Sequence, residues 1–172
     1  MWKGAGFEDD YQEQAYKKAG LEQLREFVSR HENVTNFPLA AEAHFSLDLG
    51  DVLLEGRIDQ INPLPDQSVE LVDYKTGRPP SQRDADKSLQ LSVYALAARD
   101  QMKFNPTRLT FYSLTNNEAV CTVRTSKSLD LVVSDIRGVA EQIRKQSFAP
   151  KPGFACKYCD YELICPAHEE SF

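Results

Sequence analysis

The sequence predicts an α/β domain, a central mixed sheet flanked by helices in the order α-βββ-α-ββ-α, followed by a cysteine-rich tail. Three observations predict it. Apolar residues recur at helical spacing in three separated runs. Five short strand-like runs lie between them, and Gly, Asn, Asp and Pro mark the junctions. The first helical run covers about residues 8–31, with Tyr16, Leu21, Leu24, Phe27 and Val28 at helical spacing around a single Gly20. AEAHFSLDLGDVLLEGRIDQI then reads as two strands about Gly50-Asp51, a hairpin signal. VELVDYKTG is a third strand, ended by Gly77 and Pro79-Pro80, and the pattern turns helical from about Asp84 to Asp100. TRLTFYSLT and EAVCTVRTS form a second hairpin about Asn116-Asn117. SKSLDLVVSDIRGVAEQIRKQ is the last helix, with Ser126 or Ser128 as N-cap. No internal repeat or long linker divides the chain. The expected organisation is a core over residues 1–150 with a tail over 151–172 packed on it.

At 172 residues the chain can bury about 70 % of its unfolded surface in one core. Its 41 % hydrophobic and 27 % charged residues suit that class. No apolar run approaches the roughly 20 residues of a membrane helix, and Met1-Trp2-Lys3 leads into no signal-peptide core, so the cytoplasm is the expected location. A net charge of −6 argues against a broadly basic nucleic-acid surface, while leaving room for a local basic strip.

The stretch GRIDQINPLPDQSVELVDYKTG carries the chemistry. With its turn at Pro65-Asp66-Gln67, Asp59 comes opposite Asp73, and cross-strand neighbours have Cβ atoms about 4.5–5.5 Å apart. Side chains alternate along a strand, so Asp73 and Lys75 share a face. Two carboxylates that close repel unless a cation sits between them. A divalent ion such as Mg2+, which favours one or two carboxylates plus water and phosphate oxygens, meets that need. Lys75 would hold the attacking water and stabilise the developing charge on phosphorus. In the helix that follows, SLQLSVYALAARD, residues Leu89, Val93 and Leu96 make an apolar stripe. Gln90 and Tyr94 lie four apart on the neighbouring stripe, with Lys87 one turn earlier on the same side, placed to contact a DNA phosphate. A competing reading needs no ligand: edge or turn aspartates, a solvated lysine, a solvated glutamine and a boundary tyrosine.

GRID, VDYKTG and QLSVYALA together resemble the RecB-type branch of the PD-(D/E)xK nuclease superfamily, with its Q-x-x-x-Y signature, from about Ala40 to Pro166. The resemblance implies a restriction-endonuclease-like core. It implies Asp59 and Asp73 as the metal-binding acidic pair, the Tyr74 carbonyl as a backbone ligand, Lys75 as the catalytic lysine, and Gln90 and Tyr94 as the signature pair. Glu42 falls where these domains often carry a glutamate leading into the first strand. The family's usual histidine ligand on a helix before the strands has no counterpart in His31 or His44.

The tail reads C-x2-C-x5-C through Cys156, Cys159 and Cys165, three thiols in ten residues. It resembles the C-terminal cysteine set of the iron–sulfur, AddB-like subgroup, where a fourth cysteine lies far upstream and a [4Fe–4S] cluster joins the ends of the domain. No cysteine here precedes Cys121, which falls in a strand where a buried free thiol is the commoner reading. The residues present also allow a Cys3His zinc site with His168. Lacking both the upstream histidine and the upstream cysteine, the chain is expected to be the C-terminal portion of a longer protein.

The leading expectation is a Mg2+- or Mn2+-dependent DNA nuclease, an exonuclease of repair or recombination, working with a helicase domain in the same polypeptide or complex. Arg78, Arg83 and Lys87 would join Lys75 in a basic strip that binds DNA. The alternative is a catalytically incomplete module with a structural or DNA-binding role. A zinc-binding interaction domain is a third reading.

Overall fold

The computed structural model describes Gly4, residues 6–33 and residues 37–167; the expected zinc ligand His168 lies outside them. The chain forms two compact units, Met1–Val133 and Ser134–Phe172. The first holds α1 (Asp10–His31), β1 (Ala40–Asp48), β2 (Leu53–Pro63), β3 (Val69–Lys75), α2 (Gln82–Asp86), α3 (Leu89–Asp100), β4 (Pro106–Ser113) and β5 (Glu118–Thr122). Helix α4 (Ser126–Arg144) starts in the first unit and runs into the second, which continues with two short 3-10 turns, Phe154–Tyr158 and Glu162–Ile164. None of the described helices is long and apolar enough to cross a membrane.

The five strands form one mixed sheet in the order β1-β2-β3-β4-β5. Every neighbouring pair is antiparallel except β3 and β4. A parallel pair needs a crossover, which the segment carrying α2 and α3 provides. The strand-like alternation on β3 and β4 places Leu71 and Leu109 under α3, which contributes Leu91 and Leu96; none is more than 1 % exposed. Each such side chain contributes roughly 1.5–3 kcal/mol when removed from water.

The turn at Pro65-Asp66-Gln67 sets the register as the sequence predicts, with Gln60 opposite Val72 and Asn62 opposite Glu70. Asp66 Oδ1 accepts from the Ser68 N–H and hydroxyl, which closes that turn. Helix α4 corrects the expected cap: Thr125 precedes it, its hydroxyl accepting from Ser128 N while Ser128 Oγ accepts from Thr125 N. Ser126 is the first helical residue.

The helix expected over about 84–100 is in fact two. Ser81 caps α2 through a reciprocal bond pair with Asp84, and Lys87 closes it. Ser88 is extended and starts α3, its hydroxyl accepting from Leu91 N. A serine whose hydroxyl satisfies free helical N–H groups favours a break over continuation. Two corrections follow. Lys87 does not belong to the helix of Gln90 and Tyr94, and of the expected apolar stripe Leu96 is buried, together with Leu91, Tyr94, Ala95 and Ala98, while Leu89 is exposed.

Gly56 lies beside the Phe45 ring of β1, where an added Cβ would sit 2.5 Å from a ring carbon. Phe45 is 5 % exposed and packs edge-on to Tyr94, so it has little room to retreat. Gly56→Ala is therefore expected to cost about 1–3 kcal/mol, read by urea unfolding, with Phe45→Leu in the same chain recovering part of the loss.

Candidate active site

The approach of Asp59 to Asp73 depends on a local break in β2. Ile58 and Ile61 are both fully buried although three residues apart, so the alternation of faces reverses between them. Strand β1 pairs Ala41 with Gln60 and Ala43 with Ile58, leaving Glu42 and Asp59 level with each other and outside the ladder. Glu42 has φ of 53°, a left-handed conformation rare for a residue with a side chain. Its carboxylate pairs with Arg57 Nε at 2.7 Å. The register is the same on either side, so no residue is inserted; the pairing lapses at this one position, which frees both side chains from the ladder. The β2–β3 ladder also stops, at Gln60 and Val72. Asp59 Oδ2 then accepts from the Tyr74 N–H at 3.0 Å, so the aspartate replaces the missing strand partner and is held level with Asp73.

Asp73 is 2 % exposed and its neighbours form a closed ring. Lys75 Nζ lies 2.7 Å from Asp73 Oδ2 and donates to Gln90 Oε1 at 2.8 Å. Gln90 Nε2 donates to Tyr94 OH at 3.1 Å, and Tyr94 OH donates to Asp73 Oδ1 at 3.3 Å. The sequence predicts all four members of this ring. The Lys75 contact is an ion pair without hydrogen-bond alignment, and Asp73 Oδ2 keeps no aligned donor. The lysine also stands over the Phe111 ring, 4.9 Å from its centroid.

Burial raises the Asp73 carboxyl above its ordinary value of 3.8, the Lys75 ammonium beside it pulls it back, and the nearby Asp59 charge pushes it up again. Tyr94 is pushed up to about 12, chiefly by burial, so it stays a neutral donor. A buried carboxylate whose Oδ2 has the Lys75 ammonium beside it but no aligned donor, next to a second carboxylate held by a backbone N–H, is a donor set suited to a hard divalent cation. The residues present fit Mg2+ or Mn2+. No group of three or more His, Cys, Asp or Glu side chains converges anywhere among the described residues, so the pair gains no third such ligand.

The remaining expected residues are dispersed. Arg78 pairs with Asp84 at 3.1 Å, and Arg83 and Lys87 are exposed beside it on and after α2. Tyr74 turns its ring to the opposite face of the sheet, where its hydroxyl donates to Gln60 Oε1. His31 stacks on Phe27 at 4.2 Å, and His44 is exposed on β1. Cys121 is exposed rather than buried, 3.4 Å from Thr110 Oγ1. Cys156, Cys159 and Cys165 do not come together as a ligand group; as they stand they fit neither the iron–sulfur cluster nor the zinc ion.

Sequence reasoning missed Arg124. It follows β5, and each of its five N–H groups has an acceptor. They reach Ser92 Oγ, Thr122 Oγ1 and the carbonyls of Ala85, Ser88 and Val123. Two of these carbonyls flank the α2–α3 break, so Arg124 sets where α3 begins and thereby where Gln90 stands. An arginine in a strand-to-helix loop carries no local signal of this role. Arg124→Ala is expected to cost about 2–4 kcal/mol, visible as a lowered Tm, and Arg124→Lys to recover little because an ammonium cannot span five acceptors.

A family model for the PD-(D/E)XK nuclease superfamily matches residues 1–166. The chain belongs to the PD-(D/E)XK nuclease superfamily. The mixed sheet with flanking helices is the restriction-endonuclease-like core of that superfamily, as the motifs implied. Among solved structures, a protein from Eubacterium rectale named as a candidate exonuclease matches with a TM-score of 0.50 and 12 % identity, over 88 % of this chain and 60 % of its own. The structure of SSO0001 matches with a TM-score of 0.49 and 17 % identity, over 90 % of this chain and 71 % of its own. At 12 % identity the likeness to the Eubacterium rectale protein is one of fold. No curated protein matches the chain. Membership of a nuclease superfamily, with the acidic pair and lysine of its motif intact, supports a nuclease.

Proposed function

We propose that this chain is a divalent-metal-dependent deoxyribonuclease domain, and that Asp59, Asp73 and the Tyr74 carbonyl hold Mg2+ or Mn2+. One observation carries the reading: the closed ring of Asp73, Lys75, Gln90 and Tyr94 around a carboxylate that burial alone would disfavour. A purely structural site would gain more from apolar packing than from a buried ionic group. When bound, the cation would supply Lewis-acid polarisation of the phosphodiester and a water of lowered pKa.

The chain's own residues do the rest. Gln90 accepts from the Lys75 ammonium and so directs its remaining N–H groups. Those groups are free to hold a water or a phosphate oxygen, and the positive charge beside Asp73 stabilises charge developing on phosphorus. Tyr94, kept neutral, fixes the Asp73 carboxyl from the other side. Exposed Arg78, Arg83 and Lys87 would take the backbone of the bound strand. The resemblance to RecB-type domains supports exonuclease action in repair or recombination beside a helicase, in an AddB-like setting.

The test uses end-labelled linear and closed circular DNA with Mg2+, Mn2+ or EDTA. Nucleotides released from linear DNA in metal alone, with circles spared, are the expected result. Intact DNA under every condition would leave the alternative of a catalytically incomplete, DNA-binding module.

A further inference from the structure

On the face of the sheet opposite Asp73, between the end of α1 and strands β2 to β5, lies a cavity of about 500 Å3. That volume is within the usual range of small-molecule sites. Its floor is polar where a sheet under a helix is ordinarily apolar. Gln60 Nε2 donates to Asn62 Oδ1 at 2.8 Å, Asn62 Nδ2 donates to Glu70 Oε2 at 3.2 Å, and Thr110 Oγ1 donates to Glu70 Oε1 at 2.7 Å. Tyr74 OH feeds the row at Gln60. The direction is forced, because an ionised carboxylate only accepts. Asn62 must therefore turn its NH2 to Glu70 and its oxygen to Gln60, and Gln60 must turn its oxygen to Tyr74.

This leaves an inventory. Glu70 is half-buried, pairs with no cation among the described residues, and has one lone pair spent on each oxygen. Asn62 and Gln60 each keep one N–H. The site thus offers two adjacent acceptors beside spare amide donors. Its walls are aromatic: Phe27, Tyr74 and Tyr112 lie edge to face with ring centroids 5.4–5.8 Å apart. Flat rings and directed polar groups together suit a planar heterocycle.

We propose that this cavity binds a guanine base. Guanine alone among the common bases presents two adjacent N–H donors, N1 and N2, to match the two oxygens of Glu70, with O6 next to them to accept from an amide N–H. Adenine would turn its bare N1 toward the carboxylate. The proposal concerns a face of the sheet that carries no part of the carboxylate ring, and it stands whether or not the chain cleaves DNA. The guanine would come either from a free nucleotide or from an unpaired position in a strand.

The test is calorimetric titration with GMP and AMP in EDTA, on the parent chain and on Glu70→Gln, Ala119→Trp and Asp73→Asn. Glu70→Gln replaces one acceptor by a donor. Ala119→Trp fills the cavity from an exposed position on β5 without removing any bond of the row. GMP is expected to bind the parent and Asp73→Asn alike, and AMP, Glu70→Gln and Ala119→Trp each to weaken binding about tenfold or more. Equal binding of AMP and GMP, no binding of GMP to the parent, or loss only in Asp73→Asn would overturn the assignment. A second arm compares oligothymidine with the same strand carrying one guanine. A gain that Glu70→Gln abolishes identifies a base in a strand as the ligand; no gain, with GMP bound, identifies the free nucleotide.

Discussion

Asp73→Asn is expected to lower metal-dependent DNA cleavage by about 10³-fold or more while leaving a metal-free protein that is more stable than the parent at neutral pH. The two effects have one cause. Asp73 is 2 % exposed, and burial lifts its carboxyl above the ordinary 3.8 despite Lys75. A folded-state value raised above the unfolded one means the folded protein holds the proton across the window between them. Stability therefore falls as pH rises from 3.8 through the folded value, and the ionised carboxylate carries its full cost above that. Asparagine keeps the size and the acceptor for Tyr94 without the charge. Lys75, one-third exposed, can turn its charge to water when the partner is neutral. Thermal unfolding in EDTA should show the variant ahead near neutral pH, with the gap closing in acid toward the unfolded-state value. A variant less stable than the parent at neutral pH would mean the ion pair outweighs desolvation.

Lys75→Met carries the second large effect. Its ammonium is the main influence opposing burial at Asp73, and it bridges that carboxylate to Gln90. Removing it should cut turnover by about 10²–10³-fold, the usual scale for one pre-placed electrostatic group. Divalent-ion affinity at neutral pH should not fall, because a neighbouring positive charge has been withdrawn. The Asp73 carboxyl should move further up. Stability in EDTA should drop by about 1–3 kcal/mol from the unpaired buried charge, discounted for the exposed third of the lysine. Turnover and metal titrations on the same preparation separate this outcome from misfolding, in which both would fail.

The parts of the site written in local patterns were legible in the sequence. The Pro65-Asp66-Gln67 turn fixes the β2–β3 register, which by itself places Asp59 level with Asp73. Period two put Lys75 with Asp73, and helical spacing put Gln90 with Tyr94; the structure joins the pairs. What stayed hidden depends on contacts remote in sequence. Nothing near Ser88 announces that Arg124 seizes its carbonyl and that of Ala85, so one helix was expected where two form. Nothing near Glu42 marks its left-handed backbone, which falls where the β1–β2 pairing lapses across from Asp59. Leu89 obeys the helical stripe yet is exposed, because the crossover from β3 to β4 rotates α3 to present Leu91 and Tyr94 instead. The polar row through Glu70 was equally invisible: its members come from three strands and meet only in the sheet.

The central claim is that Asp59 and Asp73 together hold the ion on which cleavage depends. Mn2+ binding, followed by electron paramagnetic resonance at neutral pH on the parent, Asp59→Asn and Asp73→Asn, tests it most directly. The account predicts bound Mn2+ in the parent and its loss in each variant, with both variants still folded by thermal unfolding. Mn2+ bound equally by the parent and both variants would contradict it.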